Sequence, residues 1–141
     1  MNSLFQMPIE LDDDLKNLIR SSFVHAVSEI GEEELLYIEK KIFLKLESVK
    51  HNDVKWVSDL ISICETFFTL LSKFRNNEIN ISDKSCKSIG AALFYFINPY
   101  DIIPDSTLGS GYADDYYVTI LCFESMNSDE QDILSGIFRS K

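Results

Sequence analysis

The sequence predicts an all-α fold: a single helical domain over residues 1–141, built as a bundle of five to six helices with a proline-rich loop between the fourth and fifth. Three observations carry this expectation. Apolar residues recur at three- and four-residue spacing along most of the chain. No stretch shows the alternation of a strand or the turn of a hairpin. Of eight prolines and glycines, five fall between Gly90 and Gly111, so the helix breakers are concentrated in one place.

The first helix is read over Leu11–Ile30, with Leu15, Leu18, Ile19, Phe23, Ala26 and Val27 recurring at helical spacing. Asp12, Asp13 and Asp14 crowd its first turn, where carboxylates favour the positive end of the helix dipole. Gly31 is its expected C-terminal stop. The second helix, about Glu32 to Val49, opens with Glu32, Glu33 and Glu34 and gathers Lys40, Lys41, Lys45 and Lys50 towards its end. That polarity matches the dipole, so the acid run needs no functional explanation. Leu35, Ile38, Ile42, Leu46 and Val49 form its core stripe.

Asp53 is the expected cap of a third helix reaching roughly Arg75. Its apolar residues cover much of its circumference, which predicts a central position. Asn76 to Ile81 reads as a polar connection. Ser82 caps a fourth helix, Asp83 to about Ile97, which Asn98-Pro99 should end because the residue before proline avoids helical angles. A fifth helix is read from Asp114 to about Ser125. Ser128 starts a sixth, with Gln131 three residues on at capping-box spacing, and Ile133, Leu134, Ile137 and Phe138 face inward.

The segment from Ala92 to Asp115 is unlike the rest. An apolar helix breaks at Pro99. A loop then combines Pro99 and Pro104 with Tyr100, Ile102 and Ile103, and a bend through Gly109 and Gly111 leads to Asp114-Asp115. It resembles the core motif of the YkvA-like family, small helical bacterial proteins of uncharacterised function. Tyr95 matches the family aromatic. Pro99, Asp101, Ile102, Ile103, Pro104 and Asp105 match the central run, and Gly111, Asp114 and Asp115 match the close. Ser106, Thr107 and Leu108 depart from the pattern, standing where the family usually has apolar residues and a further proline. The resemblance implies a helical fold and lends no activity.

Asp101, Asp105, Asp114 and Asp115 admit three readings. They can shape the turns and cap the fifth helix. They can converge on a divalent cation, which wants several carboxylate oxygens. Their exposed members, with Tyr112 and Tyr116, can contact a partner, since tyrosine beside acids suits an interface with a basic protein.

Charge and missing motifs narrow the function. The net charge is −10. Residues 1–50 carry ten acids against six bases, residues 51–97 five of each, and residues 98–141 eight acids against two bases. Such a chain repels nucleic acid and anionic lipid and attracts a basic partner. No run approaches the roughly 18 apolar residues of a membrane span, so no membrane insertion is expected. No secretory signal is read at the start. Cys64, Cys86 and Cys122 form no disulfide framework, fit a reducing cytoplasm and read as small core residues. His25 and His51 have no metal-ligand spacing. There is no phosphate loop, nucleophile elbow or dinucleotide fingerprint.

These readings converge on a non-enzymatic, cytoplasmic, acidic binding protein of the immunity or antitoxin type. It would neutralise a basic partner such as a nuclease toxin through Asp101, Asp105, Tyr112, Asp114, Asp115 and Tyr116, with no catalytic residue, resident metal or cofactor. The alternatives are a divalent-metal-binding helical protein using the aspartates, and a cytoplasmic scaffold domain.

Overall fold

The computed structural model describes residues 6–97 and 112–139. Among these, six helices and no strand are found: α1 (Asp13–Glu29), α2 (Glu32–Val49), α3 (Lys55–Arg75), α4 (Asp83–Ile97), α5 (Ala113–Ser125) and α6 (Ser128–Arg139). The all-α architecture is as the sequence predicts. The loop between α4 and α5 lies outside the described residues.

Spans follow the periodicity closely, whereas caps shift by a residue or so. Asp12 is the N-cap of α1 rather than part of its first turn, accepting the Leu15 amide at 2.8 Å. Gly31 does not stop α1. It is the N-cap of α2 in an extended conformation, and its own amide donates to Glu34 Oε1 at 2.8 Å. Asp53 does not cap α3. Val54 holds that place, its amide donating to Asn52 Oδ1 at 2.9 Å. Ser82 caps α4 as expected, accepting the Ser85 amide at 3.1 Å.

The capping box of α6 is Asn127 with Glu130, one residue before Ser128 and Gln131. The Glu130 amide donates to Asn127 Oδ1 at 2.8 Å, and the Asn127 amide donates to Glu130 Oε1 at 3.1 Å. The end of α3 is closed by Asn77 at φ 62, with its amide on Phe74 O at 3.0 Å and the Glu78 amide on Lys73 O at 2.8 Å. This is the Schellman pattern with asparagine in the usual glycine place.

The most enclosed helices are α4 and α5, not α3. Helix α4 packs against α1, α2, α3 and α5, while α6 lies on α3. Close approach to α4 depends on small residues. A Cβ on Gly90 would meet Ile30 Cγ2 and Leu35 Cδ2 at 3.1 Å each. Burial of Ile38, Ile42, Leu60, Phe67, Leu70, Ile89, Leu93 and Phe96 makes one apolar core, each such side chain contributing roughly 1.5–3 kcal/mol. Cys64, Cys86 and Cys122 are all buried within it, as read.

Candidate functional site

Helix α5 is where the motif meets the core. Ten consecutive residues, Ala113 to Cys122, are buried. A helix turns about 100° per residue, so Asp114, Asp115, Tyr116 and Tyr117 radiate in four directions. Between them they meet α4, α3 and α1. Tyr112, the backbone N-cap, accepts the Tyr116 amide at 3.0 Å through its carbonyl.

Asp114 is wholly buried, and its Oδ2 accepts the hydroxyl of Tyr95 on α4 at 3.2 Å. Asp115, 2% exposed, lies near Cys64 of α3. Burial pushes that thiol well up, and the charges of Asp115 and Glu65 add to the rise while Lys45 opposes it. Tyr116, also 2% exposed, packs edge-on against Trp56 of α3 with ring centres 6.0 Å apart. Burial, with Asp59 nearby, pushes its phenol up to about 12. The Tyr117 oxygen accepts Arg20 Nη2 of α1 at 2.8 Å, and Lys16 and Arg20 lie 5.9 and 6.0 Å from its ring centre. Lys45 of α2 stands over Phe96 at 5.6 Å and Tyr112 at 5.8 Å.

The local sequence explains why carboxylates are tolerated here. Asp114 and Asp115 occupy the second and third positions of α5, beside its positive dipole end. Cations reach this end of the bundle from two sides, Lys16 and Arg20 from α1 and Lys45 from α2. The tyrosine rings between them are where cations sit favourably.

The six expected contact residues therefore divide. Asp101 and Asp105 lie outside the described residues. Tyr112 is half-buried. Asp114, Asp115 and Tyr116 are interior, so a contact surface built from them is corrected to an internal packing site. Their sequence neighbours do not explain this; enclosure of α5 by α1, α3 and α4 does. Arg20, Lys45 and Trp56 are not among the site residues read from the sequence, where Lys45 stands only as part of a dipole-matched charge gradient. The available signal was weak: Lys16 and Arg20 are the only bases on α1 and sit one turn apart.

Chemistry at other centres is equally constrained. His25 is exposed, 3.4 Å from Glu29, and His51 is exposed at the α2–α3 junction. Cys86 is pushed up by burial and by Asp83, and Cys122 by burial and Glu130, the opposite of what a nucleophilic thiol needs. Among the described residues no group of three or more His, Cys, Asp or Glu is placed to hold a metal ion. Nor is any helix among them long and apolar enough to cross a membrane.

The buried aspartate pair at the start of α5 lies in the segment that this chain shares with known proteins. Residues 87–121 match the family described as "Protein of unknown function (DUF1232)". The chain is 43% identical over 51 residues to the "Uncharacterized membrane protein YkvA" of Bacillus subtilis (strain 168). That match covers 36% of this chain and 48% of the relative, so the chain spans about half of its length. The motif segment is thus similar to that of the YkvA-like family, a family of unknown function. No solved structure matches the chain.

Proposed function

We propose that this chain is a non-enzymatic binding protein whose motif acts as an internal brace and whose acidic exterior engages a basic partner. The observation that carries the reading is the separation of roles among the acids. The two motif aspartates described are turned inward, while most acids at the starts of α1, α2 and α6 face solvent, Glu130 excepted. Asp12, Asp13 and Asp14 on α1, Glu32 and Glu33 on α2, and Asp129 with Asp132 on α6 are exposed. Such clusters steer a cationic partner into encounter. A nuclease toxin held by an immunity-type inhibitor is one partner with that chemistry. A basic cytoplasmic segment of a membrane protein is another, the scaffold alternative.

The test is capture of proteins from the native host on the immobilised chain at low ionic strength. Basic proteins should be retained and released near 0.3 M salt, at which exposed charges are screened beyond about 6 Å. They should also be lost when Asp12, Asp13 and Asp14 are changed together to asparagine. Retention of nothing basic defeats the reading. Calorimetric titration with magnesium, calcium and manganese addresses the divalent-ion alternative: tight binding abolished by Asp114→Ala would replace the brace with a metal site.

A further inference from the structure

Helix α2 carries two apolar stripes, and only one is used by the core. Leu35, Ile38, Ile42, Leu46 and Val49 are buried. On the opposite face Leu36, Tyr37, Phe43 and Leu44 are 51, 37, 64 and 68% exposed. They are four of the seven large exposed hydrophobics among the described residues, the others being Leu18, Val24 and Val54. Large apolar residues gathered on one exposed helix face in this way mark a candidate interaction surface. Two of the four are already braced. The Phe43 ring meets Phe68 of α3 edge-on at 5.5 Å, and Tyr37 meets Phe94 of α4 at 5.3 Å. Anchors fixed in this way lose little entropy on binding.

The charges of this face specify what covers it. Glu33, Lys40 and Glu47 are exposed and run along its middle at seven-residue spacing, close to two helical turns. Leu36 and Phe43 flank that line on one side, Tyr37 and Leu44 on the other. The sign alternates from acid to base to acid, so the face is complementary to itself when shifted by one heptad. A parallel pairing in register sets each charge against its own kind. An antiparallel pairing centred on Lys40 opposes Lys40 to Lys40 and Glu33 to Glu47. Antiparallel pairings centred between Leu36 and Tyr37 or between Phe43 and Leu44 instead set Lys40 of each copy against Glu33 or Glu47 of the other, and the second centre holds the more exposed apolar pair. That second pairing gathers both Phe43 and both Leu44 side chains at the twofold axis.

We propose that the outward face of α2 is a homotypic interface, covered by α2 of a second copy of this chain in this last, antiparallel register. The self-complementary heptad is what selects a second copy over a uniformly basic partner. The net charge of −10 on each copy opposes approach, but at physiological ionic strength the screening length of about 8 Å confines that repulsion to near contact. The inference stands apart from the acidic-exterior reading because its readout is self-association, although Glu33 belongs to both surfaces.

Sedimentation equilibrium of the full chain up to about 100 µM tests it. A dimer is expected, and Phe43→Glu or Leu44→Glu should lower the association constant by at least about tenfold. Both positions are exposed, and unchanged helical circular dichroism shows that the fold survives. Lys40→Glu alone should weaken association, and Lys40→Glu with Glu47→Lys should restore it. A monomer at every concentration overturns the proposal, as does a dimer indifferent to Phe43→Glu. Failure of the double exchange to restore association overturns the register. Co-sedimentation of a monomer with phosphatidylcholine–phosphatidylglycerol vesicles, lost in Leu44→Glu, would assign the face to a lipid surface and also overturn it.

Discussion

Glu130 and the Asp114–Asp115 pair are both carboxylates buried in the first turn of a helix, α6 and α5 respectively. Glu130 is held by neutral donors close at hand. Its Oε2 accepts the Ser82 amide at 2.7 Å, and its Oε1 accepts the Ser85 hydroxyl at 2.6 Å and the Asn127 amide at 3.1 Å. One side chain thereby ties the start of α4 to the start of α6. Burial alone would raise its pKa, but the bonds from Ser82, Ser85 and Asn127 outweigh burial and hold the carboxyl below its ordinary range. The α5 site works differently. Its surroundings are aromatic, with Tyr95 on Asp114 and Trp56 on Tyr116, and cations approach through the tyrosine rings. The comparison teaches that an acid at a helix start can join two helix ends, or can belong to a hub that positions a whole helix among its neighbours.

If α5 is the hub, damage there should cost most. Tyr116→Ala should lose roughly 3–5 kcal/mol, the range for emptying a fully buried aromatic position, measured by urea unfolding followed through Trp56. A cost below about 1 kcal/mol would mean that the wall around Tyr116 collapses freely, and the hub would be no hub. Glu130→Ala should come next, at about 2–3 kcal/mol, because it leaves buried donors on two helix starts without their acceptor.

Acid and alkaline unfolding should separate the two sites more sharply than either truncation. Glu130 has a lowered pKa in the folded state, so its stabilisation is complete above the ordinary value near 4.5 and is lost as pH falls through the lowered one. Glu130→Gln should therefore flatten the acid limb of a stability–pH profile. Tyr116 has its pKa raised from 10 to about 12, so its contribution is complete below pH 10 and fades towards pH 12. Tyr116→Phe should flatten that alkaline limb and leave the acid limb alone. An unchanged profile in either variant would remove the corresponding site from the comparison. The smallest effect is expected for Tyr95→Phe, about 1 kcal/mol for the single bond to Asp114. The cycle with Asp114→Asn measures whether that bond is the coupling between α4 and α5.

The sequence was most legible where one helix turn repeats another. The spans of α2 and α4 are those read from periodicity, since an apolar stripe and a dipole-matched charge gradient leave one register. Caps were less legible. Asn127 and Ser128 are both good N-cap residues, and only the bonds made by Glu130 choose between them. Asp53 lost its place to Val54 because Asn52 supplies the turn acceptor instead. The site was legible in part: the motif marked Tyr95, Asp114 and Asp115, and helical spacing gave no sign that α5 would be enclosed.

What the sequence by itself determined is local: helix positions, the absence of strand patterning, the negative charge and the motif at residues 92–115. These depend on neighbours within one or two turns, and a linear pattern contains them. Only the tertiary structure decided which acids face inward, that α4 and α5 form the enclosed centre, and that α2 keeps a second apolar face in solvent. Those outcomes depend on which helices pack side by side, and burial of a first turn is a property of the packing around it rather than of its residues.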